Sequence, residues 1–88
     1  MGSREFIERC KVAVCDYFNS QSDVTDKNGT IITDQVFVVW YCKTLQNHKA
    51  LLSTTIPDGM YYEVTLNGDK DEMYLDAYKK WKNVVIEL

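Results

Sequence analysis

Cys42, Lys43, Gln46, Asn47, His48 and Lys49 crowd two amines, two amides, an imidazole and a thiol into eight positions. Lysines neutralise a phosphate and side-chain amides match polar edges, so the cluster suits recognition of an anionic, hydrogen-bonding ligand. The plainer reading is the solvated end of a β-hairpin. His48 is the sole histidine, so any acid–base or triad chemistry has to run through it. A Cys42–His48 pair has the right types for nucleophilic catalysis. No third group is indicated to orient the imidazole, however, and nothing supplies an oxyanion hole. We therefore expect no enzymatic activity and assign no catalytic residue. One histidine and scattered cysteines lack the spacing of a metal site, and no cofactor is expected.

Two further stretches invite a ligand reading. Asn67-Gly68-Asp69-Lys70-Asp71 has the form of a turn leading into a helix N-terminus, an anion-binding device. Its aspartates would already satisfy the helix dipole and repel an anion, so it reads as turn and cap. Trp40, Tyr61, Tyr74, Tyr78 and Trp81 are able to stack a base. At helical spacing such aromatics read as core. Tyr61 is the exception: alternation places it opposite Met60, Tyr62 and Val64, exposed or at an interface.

Composition narrows the partners. Ten Lys+Arg against thirteen Asp+Glu give a net charge of −3, which disfavours free nucleic acid and an anionic membrane surface. The 88 residues make one domain, with 45% apolar and 26% charged residues, as in ordinary globular proteins. A core this small gains little over the entropy of ordering the chain. Eleven aromatics in three Phe, two Trp and six Tyr offset this, and self-association would add to it. Three cysteines without C-x-x-C spacing read as reduced thiols of a cytosolic protein. No apolar run reaches the ~18 residues of a membrane span, and Phe6 breaks the myristoylation pattern.

The elements that would position these residues follow from periodicity. Phe6, Ile7, Cys10, Ala13, Val14, Tyr17 and Phe18 form one stripe of a helix over residues 4–20, with Glu5 and Arg9 paired on its wet side. Residues 21–33 are polar and read as a mobile excursion. Val36 to about Leu45 is a strand whose apolar residues do not alternate, which suits a central strand or one lining an interface. A tight connection at Gln46-Asn47-His48 leads to a strand over Lys49–Thr55. Pro57-Asp58-Gly59 turns into a third strand, Met60–Leu66. Asp69 and Glu72 open a final helix whose apolar stripe is Met73, Tyr74, Ala77, Tyr78, Trp81 and Val85, with an Asp76–Lys80 pair. The expected architecture is α+β in the order α-β-β-β-α: a three-stranded antiparallel meander with both helices on one face.

That order, with Lys79, Lys80 and Lys82 on the last helix, resembles the double-stranded-RNA-binding domain. In that family the lysines open the helix, where this chain has Asp69, Asp71 and Glu72, so the likeness is architectural only. A closer resemblance covers nearly the whole chain. Residues 36–55 (VFVVWYCKTLQNHKALLSTT), 58–63 (DGMYYE), 67–68 (NG), 76–81 (DAYKKW) and 3–7 (SREFI) resemble a family of small proteins from temperate phages of Gram-positive bacteria. The family carries no known activity; it implies a phage context and the host cytoplasm. Three functions fit. One is a binding module that sequesters a small anionic nucleotide-type signal through Lys43, Gln46, Asn47, His48, Lys49 and Tyr61, at a homo-oligomer interface. Another is an inhibitor of a host defence or replication protein, its acidic surface mimicking nucleic acid. Nucleic-acid binding is the third, disfavoured by charge.

Overall fold

A computed structural model of the chain describes residues 1–21 and 29–88. One helix, α1 (Ser3–Gln21), precedes a short 3₁₀ turn (Thr33–Gln35) and four strands: β1 (Val36–Thr44), β2 (Asn47–Thr54), β3 (Met60–Asn67) and β4 (Glu72–Lys79). The strands form one antiparallel meander in the order β1-β2-β3-β4. The α1 stripe buries Phe6, Cys10, Val14 and Cys15, with Ile7 and Phe18 packed at its margin. It meets Ala50, Leu52, Tyr62, Val64 and Leu66, which alternate along β2 and β3. Arg9 and Glu5 pair at 3.2 Å on the exposed side of the helix.

The final element corrects the expected α-β-β-β-α order. Residues 72–79 form a strand instead of a second helix, and residues 80–88 carry no regular structure. The stripe read at helical spacing is also compatible with period two. Met73, Leu75 and Ala77 pair with Leu66, Val64 and Tyr62 on the helix-facing side, while Tyr74, Asp76 and Tyr78 point to the other. Leu75, which the helical stripe leaves out, packs against the core. Aromatic residues at alternate positions fit a pleated surface better than a helix. The residues read as a cap make a turn: Asn67 Oδ1 accepts from the Asp69 and Lys70 amides at 3.1 and 3.3 Å. In an extended strand, residues four apart lie about 13 Å apart, too far for Asp76 and Lys80 to pair.

A β-bulge explains why the apolar residues of β1 do not alternate. Val38 pairs with Leu52 and Trp40 with Leu51, leaving Val39 extra. The bulge flips the side-chain parity, so that Val36, Val38 and Tyr41 face α1 while Phe37, Trp40 and Cys42 face away. Of the two placements expected for this strand, central or lining an interface, the central one is corrected, since β1 is an edge strand. Bulges are a common way to blunt such edges.

The excursion expected over 21–33 falls partly outside the described residues. Its last part is anchored: Ile31 is buried, its carbonyl accepts from Cys15 Sγ and Asn19 Nδ2 at 3.0 Å each, and its amide donates to Asn19 Oδ1 at 2.8 Å. The β1–β2 turn consists of Leu45 and Gln46, earlier than the sequence suggests, with Leu45 in the left-handed region (φ 56°). Gly68 presses against this turn. A Cβ at position 68 would lie 2.3 Å from the Gln46 carbonyl oxygen, and the Gly68 amide donates to Asn47 Oδ1 at 3.0 Å. Gly68→Ala should therefore cost about 1–3 kcal/mol through overpacking. Urea unfolding checks this; an unchanged midpoint would mean that the two turns can separate freely.

Candidate functional site

The sheet separates the polar residues between 42 and 49. On β2, His48, Ala50 and Leu52 face α1, whereas Asn47, Lys49 and Leu51 face outward. His48 is only 2% exposed. Its ring lies 4.9 Å from that of Phe6, and its Nδ1 shares a 2.7 Å hydrogen bond with the Tyr41 hydroxyl. Burial, and then the nearby Lys43 ammonium, lower its pKa below the usual histidine value. The imidazole is thus a core group held neutral, and its partner is Tyr41 rather than Cys42.

Lys43 lies opposite His48 on the helix side. With Gln46, Gly68 and Asp71 it lines a hollow of about 280 Å³ between the two hairpin ends. Lys49 and Asn47 line a different hollow, of about 470 Å³, on the outward face. There they meet Trp40, Cys42, Thr44 and Thr65. Tyr61 also faces outward, but it pairs with Tyr78 near the far end of the sheet and lines neither hollow. His48 contributes to the lining of both hollows; of the other candidates, the structure brings Asn47 and Lys49 together, gathers Lys43 and Gln46 elsewhere, and leaves Tyr61 apart.

Among the described residues, nothing covers the outward face. Phe37, Trp40, Tyr74 and Tyr78 are all exposed there, together with the half-buried Leu51 and Tyr61. Trp40 stands at the edge of the larger hollow as a stacking surface. Across the strands, Lys49 Nζ lies 3.2 Å from Glu63 Oε1. A pair this exposed is worth about 0–1 kcal/mol, so a ligand phosphate could displace the carboxylate. Thr44 and Thr65 hydroxyls and the Asn47 amide supply donors and acceptors around it. Tyr74 donates a short hydrogen bond to Glu72, and this bond raises the phenol pKa.

Sequence reasoning missed Thr44 and Thr65 and placed Trp40 with the core. The signal for Trp40 was the unbroken apolar run across Val38-Val39, which the bulge resolves. Cys10 and Cys15 are buried, whereas Cys42 is exposed in the outward hollow. Burial pushes the Cys10 thiol up to about 12, leaving it inert at neutral pH. Among the described residues no group of three or more His, Cys, Asp or Glu is arranged to hold a metal ion. None of their helices is long and apolar enough to cross a membrane.

The fold and this face define a two-layer α+β protein with one helix behind a four-stranded sheet and an open aromatic front. The chain belongs to DUF6275, a family of unknown function, which matches residues 7–88. No curated protein and no solved structure matches it.

The lowered pKa of His48 has a sign that can be tested. The unfolded chain takes up a proton near the ordinary value of 6.5, whereas the folded chain takes it up only at lower pH. This contribution to stability is complete above pH 6.5 and is lost as pH falls below it. Melting temperature should drop between about pH 7.5 and 5.5. His48→Gln should flatten that slope, and an equal slope in both proteins would contradict it.

Proposed function

We propose that this protein is a non-catalytic binding module that captures a small anionic ligand with a stackable ring, of the nucleotide class, on its outward sheet face. One observation carries the reading: an exposed Trp40 shares a hollow of about 470 Å³ with Lys49, Asn47, Thr44 and Thr65. Trp40 offers the ring a stacking surface worth about 1–3 kcal/mol, and Lys49 offers the phosphate a cation. The hydroxyls and the amide select the polar edge. The net charge of −3 favours a small ligand over a long polyanion, because nothing offsets repulsion along an extended phosphate backbone.

Its resemblance to small temperate-phage proteins gives the activity a setting. The ligand would be a host immune signal, and the protein a phage anti-defence factor acting in the host cytoplasm, with self-association stabilising its small core. A second reading keeps the same face but a different partner. Glu63, Asp76 and Glu72 stand among its aromatics, a combination that suits an inhibitory contact with a host defence or replication protein.

Isothermal titration against mononucleotides, cyclic dinucleotides and ADP-ribose-type compounds separates the two. Trp40→Ala and Lys49→Ala should each weaken a detected ligand at least ~10-fold, about 1.4 kcal/mol. Glu63→Gln, which frees Lys49, should tighten it. Absence of heat across the whole panel would overturn the nucleotide reading and favour the protein target.

A further inference from the structure

The helix side of the sheet is also incompletely covered. Helix α1 packs mainly on β1 and β2. Along its flank towards β4 runs a groove of about 460 Å³ with Val12, Ala13 and Met73 as its apolar floor. Its rim carries the carboxylates of Glu5, Glu8 and Asp16 against the single guanidinium of Arg9, which Glu5 already engages. Further along the helix a second hollow of about 290 Å³ opens between Tyr17 and Phe18 and the strand residues Met60 and Tyr62.

The same chain carries an exposed apolar segment. In residues 80–88, Trp81 is 93% exposed, Val85 86% and Ile86 80%, with Val84 and Leu88 also bare. Such a run in water is a contact surface awaiting its partner. Lys80 and Lys82 flank Trp81 and complement the acidic groove rim, while the one carboxylate side chain of the segment, Glu87, lies beyond Val84, Val85 and Ile86. The segment does not fold back on its own chain. The Lys80 amide donates to the Gly59 carbonyl at 2.7 Å, which holds the backbone in line as it leaves β4. The radius of gyration, 14.4 Å, exceeds the roughly 12 Å of a compact domain of this length.

We infer that the occupant of the groove is residues 80–88 of a second copy of this chain, exchanged reciprocally in a two-fold dimer. Lys80 and Lys82 face the rim carboxylates, while Trp81, Val84, Val85 and Ile86 cover Val12, Ala13 and Met73. Such exchange of an arm is a direct route to a closed dimer, since each copy supplies both halves of the contact. The outward face with Trp40 and Lys49 stays free, so the dimer and the ligand site are independent.

The test is native mass spectrometry and light scattering of the full chain, with Trp40→Phe as background so that emission reports Trp81 alone. The expected result is a dimer at micromolar concentration, with Trp81 emission shifting to the blue as the dimer forms. The double variant Val85→Asp/Ile86→Asp and the groove variant Val12→Asp should each raise the dimer dissociation constant at least ~10-fold. Both alter exposed positions, so circular dichroism should be unchanged. Glu8→Lys should weaken the dimer as well, through the rim. A monomer at ~50 µM, with Trp81 either exposed or shielded, would overturn the inference. So would a dimer that survives both the tail and the groove variants.

Discussion

An α-helix is about 10 Å across and a four-stranded sheet about 15–19 Å, so α1 alone cannot cover the sheet it packs on. The helix lies mainly over β1 and β2, burying Phe6, Cys10 and Val14 against Ala50 and Leu52. Met73 and Leu75 on β4 are left half-covered, and among the described residues the front of the sheet has no cover. Because a small core gains little over the entropy of ordering the chain, uncovered apolar surface is a large share of what this domain has to offer a partner. Both surfaces singled out for binding follow from that shortage.

The bulge at Val39 decides what the front face carries. Without it, regular alternation would put Trp40 with Val36 and Val38 beneath the helix and Tyr41 outside. With it, Tyr41 turns inward to meet Phe6 and His48, and Trp40 turns outward beside Lys49. One inserted residue thus builds an inner aromatic cluster and an outer stacking surface in the same strand. His48 belongs to the inner set, where burial keeps it neutral. Its contribution is to packing.

Much of this was legible in the sequence. The α1 stripe, the limits of β1 and β3 to within a residue or so, the Pro57–Gly59 turn and the alternation that turns Tyr61 outward all follow from period and turn chemistry. The last element did not, because Met73, Tyr74, Ala77 and Tyr78 satisfy a helical stripe and a strand alternation alike. Pairing with β3, which no local pattern reports, chose the strand. The Leu45–Gln46 turn was illegible because leucine rarely takes a positive φ. Reading residues 42–49 as one cluster ignored the pleat, which sends Lys43 and His48 to one side and Asn47 and Lys49 to the other.

The sheet is complete through β4, and in the proposed dimer the segment that follows is covered by another copy. Amide hydrogen exchange measured by mass spectrometry at low and high protein concentration reads both halves at once. The amides of residues 72–79 that bond to β3 should exchange slowly at every concentration, and residues 80–88 should pass from fast to slow as concentration rises. Fast exchange of every amide over 72–79 would contradict the strand. Concentration-independent exchange over 80–88 would contradict the exchanged arm.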